Sequence, residues 1–259
     1  AVQAFTVFGD SAFARTTASA ILAVLAAFFT WAYLIVPVVT WRRGRWSVSS
    51  LTFEPAGDGA GWPAPVRQRV AALAALGFAP RLVHTRAEGG ATATLVFLLD
   101  APRGILATVT CIDFNARVFL STRITPFDEP PASRLSVVDV QPPDPLPAPP
   151  GHRVLLYPDA PAPTLVQHFI QAWQPRRPAT APSDAELAAK LHASLADRER
   201  WLIEEGYLAP SATPEHRYTL KGAFTTVYRM LWPMSSLERA RLLRNGQEAL
   251  GGGPQAGRR

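Results

Sequence analysis

The chain has one cysteine, Cys111, and only two methionines and two lysines in 259 residues. A single thiol excludes an intrachain disulfide. Its place in an apolar run makes it a small buried hydrophobe, suited to a reducing compartment. Histidine is scarce as well. His84, His152, His168, His192 and His216 stand apart, none at ligand spacing from another histidine or from the cysteine, so no sequence-local zinc site is expected. Gly251, Gly252 and Gly253 run into proline rather than a helix and do not form a phosphate-cradling loop. Ser121 and Ser136 lack the glycine frame of a nucleophile elbow. Asp128 and Glu129 precede two prolines, where a solvated turn is expected rather than a general acid–base pair. The expectation is a non-enzyme with no cofactor, no metal and no small-molecule substrate.

Charge is missing altogether from one stretch. Between Arg15 and the cluster Arg42, Arg43, Arg45, the 26 residues Thr16 to Trp41 carry none, and their apolar heart, Ala18–Val39, is 22 residues long. At about 1.5 Å per helical residue that heart covers roughly 33 Å, against a bilayer core of about 30 Å. The reading is one transmembrane helix over residues 16–41. Basic residues flanking a span favour the cytoplasmic side. Three arginines after the span, against Asp10 and Arg15 before it, predict residues 1–15 outside and the remainder in the cytoplasm, at a bacterial inner membrane. A cleaved signal peptide fits less well, because the leading segment is barely basic, the run is too long and no small-residue cleavage site follows.

Trp41, Arg42, Arg43, Arg45 and Trp46 are expected to anchor the span at the membrane interface. Within it, Ser19, Ala23, Ala27 and Trp31 recur every four residues. Small residues at that spacing form a face on which another membrane helix can pack closely. Trp31 lies at mid-depth, where its indole N–H needs an acceptor that lipid tails do not offer. Pro37 falls in the last turns, where a kink is tolerable.

The net charge of +6 is unevenly spread: +3 over residues 1–45, −1 over 46–175 and +4 over 176–259. A nucleic-acid partner calls for one concentrated basic face. Basic character beside the span and at the far end suits anionic headgroups better. Membrane lipids and other integral membrane subunits are therefore the expected partners, and nucleic acid is not. Arginine outnumbers lysine 24 to 2, which reads as the codon bias of a GC-rich genome.

The soluble part reads as α+β. A linker, residues 42–64, leads to a domain over 65–174. Pro65 opens a helix whose Val66, Val70, Leu73 and Leu76 share one face, with Gly77 at its C-cap. Strand-like segments follow at 81–87, 91–99, 105–112, 117–124 and 134–140, with tight turns between, as in an antiparallel meander. Residues 141–151 hold six prolines in eleven and read as a stiff connector. A helix is expected over Thr164–Trp173. After a second Pro- and Arg-rich boundary comes a helical module, residues 183–250. It opens with the capping box Ser183–Glu186, continues with Leu187, Leu191, Leu195, Trp201 and Leu202 on one face, and ends in a tail, 251–259.

Gly206-Tyr207-Leu208, a polar turn through Glu215, and Arg217–Gly222 resemble the wing of a winged-helix domain, with Thr219 and Leu220 in reversed order. The resemblance spans Gly206–Gly222 and implies a small DNA- or protein-binding module. Beyond it, Phe224, Tyr228 and Trp232 mark an aromatic helix. Past Pro233, Arg239, Arg241 and Arg244 lie on a basic amphipathic one. Aromatics followed by arginines form a possible interfacial membrane element, although both helices can equally pack on their own domain. In layout, though not in any motif, the plan is similar to the H subunit of purple bacterial reaction centres. The expected function is a non-catalytic accessory or scaffold subunit of a larger membrane complex, an electron-transfer or photosynthetic one among the candidates. The alternatives are a membrane-tethered regulator with a winged-helix-like module, and an enzyme of unknown class.

Overall fold

The computed structural model describes residues 12–46, 51–88, 90–114, 117–127, 134–140, 146–173, 181–213, 215–231 and 234–251. The chain begins with α1 (Ala12–Thr30), a π-helical turn (Trp31–Ile35) and α2 (Val36–Arg43). From Thr16 to Arg43 these form one helix of 28 residues, long and apolar enough to cross a membrane. Pro37 explains the irregular turn. It has no N–H to donate to the carbonyl of Tyr33, four residues back. Val36 N–H reaches Trp31 O instead, a bond five residues long.

Two short strands follow, β1 (Arg45–Trp46) and β2 (Glu54–Pro55), then α3 (Ala64–Ala74). Next come β3 (Ala79–Glu88), β4 (Ala91–Asp100), β5 (Ile105–Phe114), β6 (Arg117–Pro126), β7 (Leu135–Val138) and β8 (Arg153–Leu156). Strands β2 to β8 form one sheet in sequence order. Neighbours are antiparallel as far as β7, and β3 carries an irregularity between Pro80 and Leu82. The long ladders β3–β6 match the expected meander. The last pair departs from it, since β7 and β8 run parallel. Parallel neighbours need a connection of about a dozen residues, and the proline-rich segment between them supplies that length. Residues 141–145 of it lie outside the described residues.

The sheet is covered on both faces, so β4 reads as an unbroken apolar run rather than an alternation. Val96, Leu98, Ile105, Val109, Ile124, Val137 and Leu155 face α3 and the next helix, α4 (Ala162–Ala172). There they pack with Val66, Leu73, Leu165 and Phe169. The opposite side chains, Leu82, Phe97, Leu99, Leu106 and Phe127, pack with Leu187 of the long helix α5 (Asp184–Glu204). The capping box is present: Ser183 Oγ accepts from Glu186 N, and the Glu186 carboxylate accepts from Ser183 N. Arg81 ties this helix start to β3, donating to Asp184 Oδ1 at 2.6 Å and to Pro182 O at 2.9 Å.

The remaining elements are β9 (His216–Arg217), α6 (Leu220–Met230) and α7 (Met234–Gly251). The hairpin that resembles a wing is formed locally, with Leu208 bridged to Tyr218. Its strand β9 pairs with β1, the strand that leaves the apolar helix. The chain just ahead of it forms the 21-residue helix α5, which lies on the sheet. Helix α7 packs Leu242 against Val138 and Leu156 at the sheet edge.

Candidate functional site

Two features of the molecule have the geometry of a working surface. The first is the joint between the apolar helix and the soluble body. Helix α6 lies along α2. The Tyr228 ring lies tilted against Tyr33, ring centroids 5.4 Å apart, and its hydroxyl donates to Tyr33 O at 3.3 Å. That carbonyl lies four residues before Pro37, which has no N–H to give it, and a side chain 195 residues away in sequence donates to it. Ala32 and Pro37 are buried as well. The joint continues through β1–β9. Trp46 is buried with Leu146, Leu202, Leu208, Tyr218 and Ala223. At the start of α6, Thr219 Oγ1 caps Gly222 N at 3.0 Å and donates to Gly206 O at 2.6 Å.

The second is a cavity of about 650 Å³ between the second face of the sheet, α5, α6 and α7. Strand alternation selects its floor: Ile124 and Leu155 point to the first core, so Arg123 and Val154 point the other way. The walls carry five arginines: Arg123, Arg134, Arg198, Arg229 and Arg241. Glu238 is the one carboxylate among the described lining residues, and it pairs with Arg229 at 2.9 Å. Arg134 Nη1 donates to Ser194 Oγ at 2.8 Å, which fixes its fork against α5. Phe119, Leu195, Leu242 and Met230 add apolar wall.

His152 reports the field in this space. Burial first, then the charges of Arg123, Arg134 and Arg198, push its pKa down to about 4. Its Nε2 lies 2.9 Å from Ser136 Oγ. That spacing is within reach of a nucleophile–base pair. Ser136 is fully buried, however, and does not line the cavity, so a substrate has no path to the hydroxyl. The contact reads as one that orients the imidazole. Among the described residues, no group of three or more His, Cys, Asp or Glu side chains is placed to hold a metal.

The residues singled out from sequence distribute as follows. Ser19, Ala23, Ala27 and Trp31 are all exposed, as is every residue from 16 to 31. The face used within the chain is instead the one bearing Ala32 and Pro37. Trp41, Arg42, Arg43 and Arg45 are exposed together, but Trp46, expected beside them at an interface, turns into the protein because β1 pairs with β9. Phe224 and Tyr228 are half-buried, their rings 5.5 Å apart. Trp232 lies outside the described residues. Arg239, Arg241 and Arg244 are exposed on α7, and only Arg241 reaches the cavity. Sequence reasoning missed Arg123, Arg134, Arg198, Arg229 and His152. They come from separate elements, and in a chain with 24 arginines none stands out locally. The one local signal was an arginine, Arg123, within the strand-like run of β6.

Compared with known proteins, the chain matches no family model, no curated protein and no solved structure.

Proposed function

We propose that the protein is a single-pass accessory subunit of a larger membrane complex, with its soluble body held at the cytoplasmic face of a bacterial inner membrane. The observation that carries this reading is the division of labour along the apolar helix. Its second part, around Ala32 and Pro37, is clamped into the soluble body, while residues 16–31 touch water or lipid on every side. A helix that served only as a tether needs no such joint. A clamped helix holds the body in one orientation and leaves a small-residue face, Ser19, Ala23 and Ala27, for a neighbouring span. The described helix of 28 residues is about 42 Å long at 1.5 Å per residue, close to the roughly 40–45 Å of a bilayer with its headgroups. Helix α6 then runs from the cytoplasmic end of the span into the leaflet, reaching Tyr33 about 15 Å from Arg43 at 1.5 Å per residue, consistent with the exposed Met230, Met234 and Leu237 at the α6–α7 corner.

Extraction from native membranes in a mild detergent, followed by native electrophoresis, tests the reading. A subunit migrates in a larger assembly with other integral proteins. Migration as a lone monomer under conditions that preserve known complexes of the same membrane would falsify it. The winged-helix alternative has less support, because the hairpin edge is taken by β1. A salt-dependent shift of labelled duplex DNA by the full chain would favour that alternative instead.

A further inference from the structure

We propose that the arginine-walled cavity between β6, β8, α5, α6 and α7 is a binding site for a phosphate group carried on an amphiphilic molecule, an anionic lipid of the adjacent leaflet. Three observations point there. The first is charge: among the described lining residues, five arginines and one carboxylate face a common space, and the carboxylate pairs with Arg229. Guanidinium forks match phosphate oxygens in a planar, bidentate manner that a point charge does not. Convergence from β6, the residue before β7, α5, α6 and α7 surrounds a ligand instead of offering a flat basic surface.

The second is shape and polarity. About 650 Å³ is far more than one phosphate fills, and it lies within the usual range of organic-ligand sites, roughly 300–1,000 Å³. Phe119, Leu195 and Leu242 line the same cavity, so the complementary ligand carries an apolar body as well as a charged group. The third is position. Met230 lines the cavity and is 64% exposed, next to Met234 and Leu237, which are also exposed. All three lie on the corner after α6, the helix that packs along the apolar span. An acyl chain leaving the cavity at that corner passes from protein to apolar surface without crossing water. The depressed pKa of His152, set by its burial and by Arg123, Arg134 and Arg198, agrees with this geometry. The lipid source rests on the membrane placement proposed above, whereas the phosphate chemistry does not.

The full chain in a neutral detergent is titrated with phosphatidic acid, phosphatidylglycerol and phosphatidylcholine, and bound lipid is counted by native mass spectrometry. In a second arm the titrant is inorganic pyrophosphate. The variants are Arg241→Glu, on the cavity wall, and Arg239→Glu, equally exposed on α7 but off the cavity. Arg123→Gln is the second wall variant should R241E fold poorly. The expected result is saturable binding of the two anionic lipids, at least tenfold tighter than phosphatidylcholine. Binding falls about tenfold or more in R241E and R123Q and less than twofold in R239E. Saturable, R241E-sensitive binding of pyrophosphate without lipid binding would support the phosphate site and assign its ligand to solution. Equal losses in R241E and R239E would overturn the site, as would absence of saturable binding in both arms. Neither failure bears on the size of the native assembly, so the subunit reading stands or falls separately.

Discussion

At the scale of single residues, the most informative contact is Tyr228 with Tyr33. A proline within an apolar helix leaves a carbonyl without its donor, and in a non-aqueous setting such a group is costly unless another donor reaches it. The Tyr228 hydroxyl does so at 3.3 Å. Tyr228→Phe is expected to cost about 1 kcal/mol, read as a fall in thermal midpoint in detergent. In a Pro37→Ala background, where the backbone N–H is restored, the same change should cost less than half as much. An undiminished cost in the double mutant would show that the hydroxyl has another role.

His152 allows a second residue-level prediction. Its folded pKa of about 4 lies below the ordinary 6.5. Above pH 6.5 the imidazole is neutral in both the folded and unfolded chain, and the group does not affect stability. Between pH 6.5 and 4 the unfolded chain takes up a proton that the folded one refuses. Stability therefore declines as pH falls through that window, by at most ~3 kcal/mol. Denaturation at pH 7.5 and 4.5 should show a smaller decline for His152→Gln than for the parent. A phosphate in the cavity offsets the arginine field, so its presence should move the imidazole titration upward in an NMR pH series.

At the scale of elements, the pattern of apolar residues located the long apolar helix, helix α3, the meander β3–β6 and the capped start of α5. Each is a local matter: period, turn residues and caps lie within a few positions of one another. What was illegible depended on long-range pairing. Residues Arg45–Trp46 are too short to read as a strand, and they are one only because β9, far along the chain, lies beside them. Trp46 therefore looked like an interfacial anchor when it is a core residue. Strand β8 could not be oriented from sequence, since orientation depended on the path of the proline-rich connector. Gly222 is a comparable case. A Cβ there would overlap the Tyr207 carbonyl, a close approach no local pattern discloses. Gly222→Ala is expected to cost about 3 kcal/mol by forcing the hairpin away from α6. The check is a loss of thermal stability while the sheet signal in circular dichroism is retained below the transition.

At the scale of the whole molecule, topology is the decisive matter. Cys111 is buried, and burial followed by the nearby Asp113 raises its thiol pKa, so it should stay silent to a bulky membrane-impermeant maleimide in the folded protein. New thiols at Gln3→Cys and Arg239→Cys then report sidedness. In intact cells the first should label and the second should not, and the pattern should reverse for Arg239→Cys in inverted inner-membrane vesicles. Labelling of Arg239→Cys in intact cells would place the body outside. The cavity belongs to this scale as well. Its arginines come from elements scattered from β6 to α7 and meet only when sheet, long helix and C-terminal helices have all docked. A site assembled last in folding leaves no local trace in sequence, which is why Arg241 was noticed only as part of a basic helix.

The clamp between α2, α6 and the β1–β9 pair fixes the apolar helix to the body where the two meet. Helix tilt varies with bilayer thickness, so without a swivel any change of tilt becomes a rotation of the entire body about that pivot. In the membrane placement proposed above, the protein acts as a lever, with its short arm in lipid and its long arm in water. A thicker membrane would reposition the far end of the sheet without deforming it.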